Sequence, residues 1–262
     1  MLLLQIKTSL TNAMLPKSQL QFIKSLHQKK FRKEYGLFIV EGIKSITEFI
    51  HSHYTIHSIY YISKIEPKVD IFPKNIKHYL ISEKELQSLS TLKTPQGILA
   101  LVQIPIEQEP VEKDLRNTFS LLLDTVQDPG NMGTIIRTAD WFGIPNIICS
   151  IDTVDTYNPK VVQATMGSLA HVTIRYTNLN HLLETIQLPV YAAMLNGTSI
   201  YETTFGHEGF ILLGNEGNGV NPNLLTKGIQ QVTIPRFGCA ESLNVAVSTA
   251  VFCSEIKRGT RR

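Results

Sequence analysis

Ser120-Leu-Leu-Leu-Asp-Thr-Val-Gln-Asp-Pro-Gly-Asn-Met-Gly-Thr-Ile-Ile-Arg-Thr-Ala139 decides the fold. Its apolar run shows no polar alternation and ends at Leu123, the pattern of a strand buried on both faces. Pro129-Gly130 turns the chain, and a helical pattern opens near Met132. A doubly buried strand followed at once by a helix is the βα step of a parallel sheet. The step recurs downstream, with strand-like runs at 146–149, 190–194, 210–213 and 231–234. Helical patterns at about 132–142, 158–169, 179–187 and 242–257 lie between or after them. The second half is therefore expected to be α/β, a doubly wound parallel sheet covered on both faces. Such sheets collect ligands at the carboxyl ends of their strands. Asn131 and Arg137 stand just beyond one such end.

Upstream, Ile104-Pro-Ile-Glu-Gln-Glu-Pro-Val-Glu-Lys-Asp114 is polar, carries two prolines and has no period, which reads as a linker. The expected division is 1–105, a linker over 106–114, and 115–262. In the first part, 17–30 has helical spacing with lysines on its outer face, 37–40, 56–62 and 97–102 read as strands, and 42–50 reads as a helix. That alternation predicts a small α/β domain.

Composition narrows the function classes. The chain is 43% hydrophobic and 18% charged, enough to bury a core. The opening Met1–Lys7 stretch is too short for a signal peptide, and no apolar run is long enough to span a bilayer. Cys149, Cys239 and Cys253 form no CxxC pattern, and the reading is buried, reduced thiols in a cytoplasmic protein. His51, His53 and His57 have no ligand spacing, so no metal is expected. The net charge is +3, but residues 1–110 carry 14 Lys/Arg against 9 Asp/Glu, and the remainder is slightly acidic. Lys29, Lys30, Arg32 and Lys33 concentrate that excess. They are the candidate contacts for a polyanion, nucleic acid being one such partner.

Two further segments follow strands. In Ile211-Leu-Leu-Gly-Asn-Glu-Gly-Asn-Gly-Val220, three glycines permit positive φ and close approach to the backbone, with Glu216 held among them. No Lys-Ser/Thr follows and the spacing is not GxGxxG, so neither an NTP site nor a dinucleotide site is supported. In Val232-Thr-Ile-Pro-Arg-Phe-Gly-Cys-Ala-Glu-Ser-Leu-Asn-Val-Ala246, a strand end leads through a loop into an apolar helix. Taken singly, Asn131 and Ser242 read equally as helix N-caps, Asn244 as a first-turn residue and Arg137 as a surface ion-pair partner.

Together, in order, spacing and flanking strands, the three segments closely resemble the three motifs of the SpoU/TrmH branch of the SPOUT RNA 2′-O-ribose methyltransferases, over about 115–258. Arg32-Lys-Glu-Tyr-Gly-Leu-Phe-Ile-Val-Glu-Gly42 resembles the opening of the L30e-like substrate-binding domain that many of them carry. The resemblance implies a deep trefoil knot in the second domain, a homodimer, S-adenosylmethionine as cofactor and structured RNA as substrate. Ribosomal RNA is favoured, transfer RNA is the alternative, and a non-catalytic RNA-binding protein on the same fold is the competing class. It further implies a catalytic group of Asn131, Arg137, Glu216, Ser242 and Asn244. Cofactor contacts are implied at Leu195, Asn196, Gly197, Gly214, Ile234 and Leu243.

Overall fold

Leu37–Val40 is buried along its whole length, and this determines how the first unit is built. In the computed structural model the described residues are 14–69, 72–106, 108–225 and 228–259. The Met1–Lys7 reading lies outside them, as do both outer ends of the expected domains. Two units meet between Ile104 and Pro105. The first contains α1 (Lys17–Ser25), α2 (Lys29–Tyr35), β1 (Leu37–Glu41), α3 (Ile43–Ile50), β2 (Ile56–Tyr61), α4 (Glu66–Val69), β3 (Lys77–Leu80), α5 (Glu83–Leu89) and β4 (Ile98–Gln103). Its sheet runs β1-β4-β2-β3, with β4 antiparallel to both neighbours and β3 parallel to β2. Phe38 on β1 meets Phe49 on α3 edge-on at 5.6 Å, a geometry that adds to simple burial.

Two sequence expectations change here. The predicted 17–30 helix is two helices. The guanidinium of Arg32 reaches back into the break between them, where its Nη1 donates to the carbonyls of Leu26 (3.0 Å) and His27 (2.9 Å). Arg32 is therefore only 2% exposed and is not part of a surface RNA contact. Its charge is spent on carbonyls that the end of α1 leaves unpaired. Lys29, Lys30 and Lys33 are exposed. In addition, β3 and α5 were not expected, although Ser82 and Glu85 form a capping box that starts α5.

The second unit contains α6 (Glu112–Leu115), β5 (Phe119–Leu123), α7 (Pro129–Trp141), β6 (Asn146–Cys149), α8 (Pro159–Thr165), β7 (Thr173–Tyr176), α9 (Leu179–Thr185), β8 (Val190–Ser199), β9 (Gly209–Leu213), β10 (Gln230–Thr233) and α10 (Val245–Gly259). Its strands run β10-β8-β9-β5-β6-β7, every neighbour parallel. Because strands alternate, Leu122, Phe210, Leu212 and Ile148 face a cluster closed by Leu179 and Leu182 of α9. Leu121, Leu123, Ile147 and Ile211, also fully buried, face the other side, where α7 packs against α8 and α10. The expected parallel α/β sheet is present. Edge strand β7 was not expected, since none of its residues is fully buried and its apolar signal is weak.

Candidate active site

α7 begins where its sequence provides a cap and a pre-set turn. The Asp128 carboxylate accepts from the Asn131 N–H at 2.7 Å, and Pro129 occupies the first helical position, where a missing N–H costs nothing. The N-cap is thus Asp128, and the Asn131 side chain is left for other work. Its Nδ2 donates to Glu216 Oε1 at 2.9 Å, and its Oδ1 accepts from Asn244 Nδ2 at 2.9 Å. Asn244 is itself the N-cap of α10, and its Oδ1 accepts from the N–H groups of Ala246 (2.9 Å) and Val247 (3.3 Å). The helix starts at Val245, so Ser242 does not cap it. These bonds fix the amide orientation of both asparagines, because each has one end committed to a donor and the other to an acceptor. Three of the five expected catalytic residues are thereby joined from three distant segments.

Glu216 is held by a loop with dense internal bonding. A Cβ at Gly214 would stand 2.1 Å from the Gly219 carbonyl carbon, so only glycine lets the chain fold back there. Asn215 and Gly219 exchange both main-chain hydrogen bonds at 2.9 Å. The Asn215 side chain accepts from Gly217 N (2.9 Å) and Asn218 N (3.1 Å) and donates to Thr125 O (2.8 Å). At the far end Asp124, 5% exposed, accepts from Asn221 N (2.7 Å) and the Thr125 hydroxyl (3.0 Å). The sequence reading assigned no role to Asp124, Thr125 or Asn215. The available signal was a carboxylate directly after an apolar run, which stays buried only if its lone pairs are filled.

β8 is longer than expected. Leu195, Asn196 and Gly197, beyond the expected strand end at 194, belong to its ten residues. They form a bulge: Gln231 on β10 opposes Ala192, but the next residue, Val232, opposes Thr198. The bulge leaves Leu195 70% exposed, and Thr233 Oγ1 ties back to the Leu195 carbonyl at 3.0 Å. Gly197 lies against β10, where a Cβ would fall 2.6 Å from Gln231 O. Gly214 follows β9 and Ile234 follows β10, so the ends of β10, β8 and β9, adjacent in the sheet, carry all the expected cofactor residues except Leu243. Leu243 lies half-exposed in the loop returning to α10.

Arg137 is six residues beyond Asn131 on α7, about 9 Å along the helix axis. It is exposed and has no hydrogen-bond or ion-pair partner among the described residues. Ser242 is exposed too. Of the cysteines, Cys239 is exposed, contrary to expectation. Burial pushes the Cys253 thiol up to about 12 and the Cys149 thiol higher still, so neither is a nucleophile near neutral pH. Among the described residues no group of three or more His, Cys, Asp or Glu has a metal-binding arrangement, and no helix is long and apolar enough to cross a membrane.

Residues 17–100 match the MRM3-like substrate binding domain. The chain is 32% identical to the 23S rRNA (guanosine(2553)-2′-O)-methyltransferase RlmP of Bacillus subtilis, across 89% of this chain and 94% of that one. A putative RNA methyltransferase of the TrmH family from Porphyromonas gingivalis superposes with a TM-score of 0.84 at 36% identity, covering 94% of this chain and 99% of that one. An AdoMet-bound rRNA methyltransferase from Sinorhizobium meliloti superposes with a TM-score of 0.83 at 26% identity, covering 94% and 97%. With residues 118–254, the segment that holds the Glu216–Asn131–Asn244 chain, matching its family description, this protein belongs to the SpoU rRNA Methylase family.

Proposed function

We propose that the protein transfers a methyl group from S-adenosylmethionine to a ribose 2′-hydroxyl of ribosomal RNA. The observation that carries this reading is the hydrogen-bonded chain Asn244–Asn131–Glu216 at the carboxyl edge of the sheet, beside a glycine-lined turn. Ribosomal RNA is the substrate named for relatives that span both units. The residues fit the cofactor on their own chemistry. An adenine held between aliphatic walls and main-chain groups needs apolar side chains and close backbone approach, not charge. The bulge of β8 offers the exposed Leu195, the returning loop offers Leu243, and Gly214 lets the backbone after β9 fold back tightly beside them. These residues, with Asn196, Gly197 and Ile234, would hold it. When bound, it supplies a methyl group on a sulfonium.

The chain's own task is then to position one hydroxyl in line and to part it from its proton. Arg137, unpaired and exposed, clamps the adjacent phosphate through its planar fork. A guanidinium keeps its proton, so the hydroxyl proton leaves to a phosphate oxygen or water. Glu216 and Asn244 hold the Asn131 amide in a single orientation towards the ribose, and Ser242 contributes a hydroxyl from the returning loop. Lys29, Lys30 and Lys33 bind RNA phosphates.

Three further features belong to this proposal. The first is a knotted path. After β10 at one side of the sheet the chain returns past β8 and β9 to bring Asn244 to Asn131, and that crossing supports a trefoil. The second is a homodimer built on α7 and α10, whose outer faces expose Trp141 (84%) and Val247 (50%), burying about 2,000 Å² in total. The third is a cytoplasmic location.

Single-turnover methyl transfer to unmethylated ribosomal RNA tests the reading. Arg137→Ala should slow it at least about a hundredfold, with cofactor affinity changed by less than about twofold. Arg137→Lys should recover little, because an ammonium lacks the fork. A folded wild-type protein that binds no S-adenosylmethionine in calorimetry would overturn the assignment.

A further inference from the structure

Along the same edge of the six-stranded sheet lies a cleft that this chemistry leaves unused. It is formed where β7 ends and α9 begins, and the segment before α6 closes it. Its volume is about 700 Å³, in the range of small-molecule sites. One wall is rigid: the Tyr176 hydroxyl donates to Val154 O at 2.6 Å and accepts from Thr156 N at 2.8 Å, which fixes the ring. Ile151, 63% exposed, and the buried Leu182 add apolar surface. The polar groups are few and distinct. Glu109 Oε2 accepts from the hydroxyl of the buried Thr177 at 3.0 Å, while Oε1 has no partner among the described residues. Asn178 spends its Oδ1 on the N–H groups of Asn180 and His181, leaving the two amide hydrogens of Nδ2 unspent.

Flat apolar walls beside a half-used carboxylate and a free amide donor match one nucleobase edge better than the others. Guanine presents N1–H and N2–H₂ next to the O6 acceptor. A carboxylate accepts the first two, and an amide N–H reaches the third. Adenine has no N–H at position 1. In uracil the single N–H stands between two acceptors that a carboxylate repels. A carboxylate also turns phosphate away, so a base rather than the backbone enters. Position agrees with this. Only β6 separates β7 from β5, so the cleft lies about 10 Å along the edge from the strand end that carries Asp124. Sequence-specific RNA recognition takes unpaired bases that are splayed out, which lets a neighbouring base reach along such an edge.

We infer that this cleft binds the base of an unpaired guanine close to the methylated nucleotide, with Glu109 accepting from N1–H and N2–H₂. The inference rests on the RNA methyl-transfer reading above, and two measurements separate their fates. In the first, guanosine 5′-monophosphate at millimolar concentration is added to the full chain and the ring proton of His181 is followed by NMR, assigned by its loss in His181→Gln. A saturable shift with the guanine nucleotide, absent with adenosine 5′-monophosphate and abolished in Glu109→Gln, is the expected result. Equal shifts from both nucleotides, or a shift that survives Glu109→Gln, would overturn the guanine cleft. The second measurement is methyl transfer to unmethylated ribosomal RNA. Glu109→Gln should raise KM for RNA at least about fivefold, with kcat and cofactor affinity within about twofold of wild type. An unchanged KM would overturn the placement beside the target. If wild type methylated no RNA at all, the methyl-transfer reading would fall, while the nucleotide titration would still decide whether the cleft takes guanine.

Discussion

Loops 214–221 and 234–244 reach the same edge of the sheet by opposite means. The first is tied to itself and to β5: Asn215 and Gly219 bond in both directions, the Asn215 side chain makes three more hydrogen bonds, and buried Asp124 anchors Asn221. The second is spanned by one hydrogen bond among the described residues, from Arg236 Nη1 to Ala240 O at 3.3 Å, and its Phe237 is 94% exposed. The first loop must keep the Glu216 carboxylate in one place and commits its main chain to that. The second is anchored chiefly at its exit, by Asn244, and its middle carries a single long hydrogen bond among the described residues. A site made this way has a preformed half that fixes geometry and an adaptable half that can settle on what enters, so most of the ordering cost falls on one loop.

Two glycines break the comparison most sharply. Gly214→Ala forces a Cβ to 2.1 Å from backbone, whereas Gly238→Ala meets nothing within 4 Å. Calorimetric titration of S-adenosylmethionine should show at least about a tenfold loss for the first, in line with overpacking costs of about 1–3 kcal/mol, and under about twofold for the second. Equal losses would mean that both loops are equally constrained.

The anchors come next. Asp124→Ala leaves the Asn221 N–H and the Thr125 hydroxyl without their partner, so urea unfolding of the second unit should show about 1–3 kcal/mol of lost stability. Glu241→Ala in the open loop should cost under about 0.5 kcal/mol. If the two variants unfolded alike, Asp124 would not be an anchor.

A third measurement carries the contrast to the first unit. Burial raises the pKa of Glu85, but the hydrogen bonds it accepts from Ser82 and Leu15 outweigh that and hold it below the ordinary glutamate value. A depressed carboxylate contributes stability above its unfolded value and loses it as pH falls through the folded one. Wild type should therefore lose stability in acid more steeply than Glu85→Gln, with the difference opening as pH falls through the ordinary glutamate value and growing below it. Parallel curves would show that the carboxylate is not specially held. The smallest effect is expected at Phe237. Phe237→Ala should change unfolding free energy by less than about 0.5 kcal/mol, and a larger loss would show the ring packed rather than free.

Much of this architecture was legible. The unbroken apolar runs ending at Leu123 and Leu213 announced a parallel sheet, because only doubly covered strands tolerate no polar face. Asn131, Glu216 and Asn244 were readable as a group from their motifs. Their wiring was not, since sequence cannot say that Asp128 rather than Asn131 caps α7. Arg32 misled for a related reason: a guanidinium amid lysines looks like surface charge, and only the turn at Leu26–Gln28 reveals carbonyls for it to fill. Leu195–Gly197 fell outside the expected strand because a bulge breaks the period of a strand without ending it. The capping box of Ser82 and Glu85 was present in the sequence, yet α5 was not expected from it.

The amide chain also sets an order of assembly. Asn131 lies 85 residues from Glu216 and 113 from Asn244, so neither bond gains from local chain closure. During synthesis, β5, α7 and the Glu216 loop can all be in place while the Asn131 oxygen still faces water. Only the docking of α10 along α7, from Asn244 at one end to Lys257 against Gly143 at the other, closes the circuit. A nascent chain that has not reached α10 therefore carries most of the fold without the closed Glu216–Asn131–Asn244 chain. That closure comes late and in one step rather than growing with length.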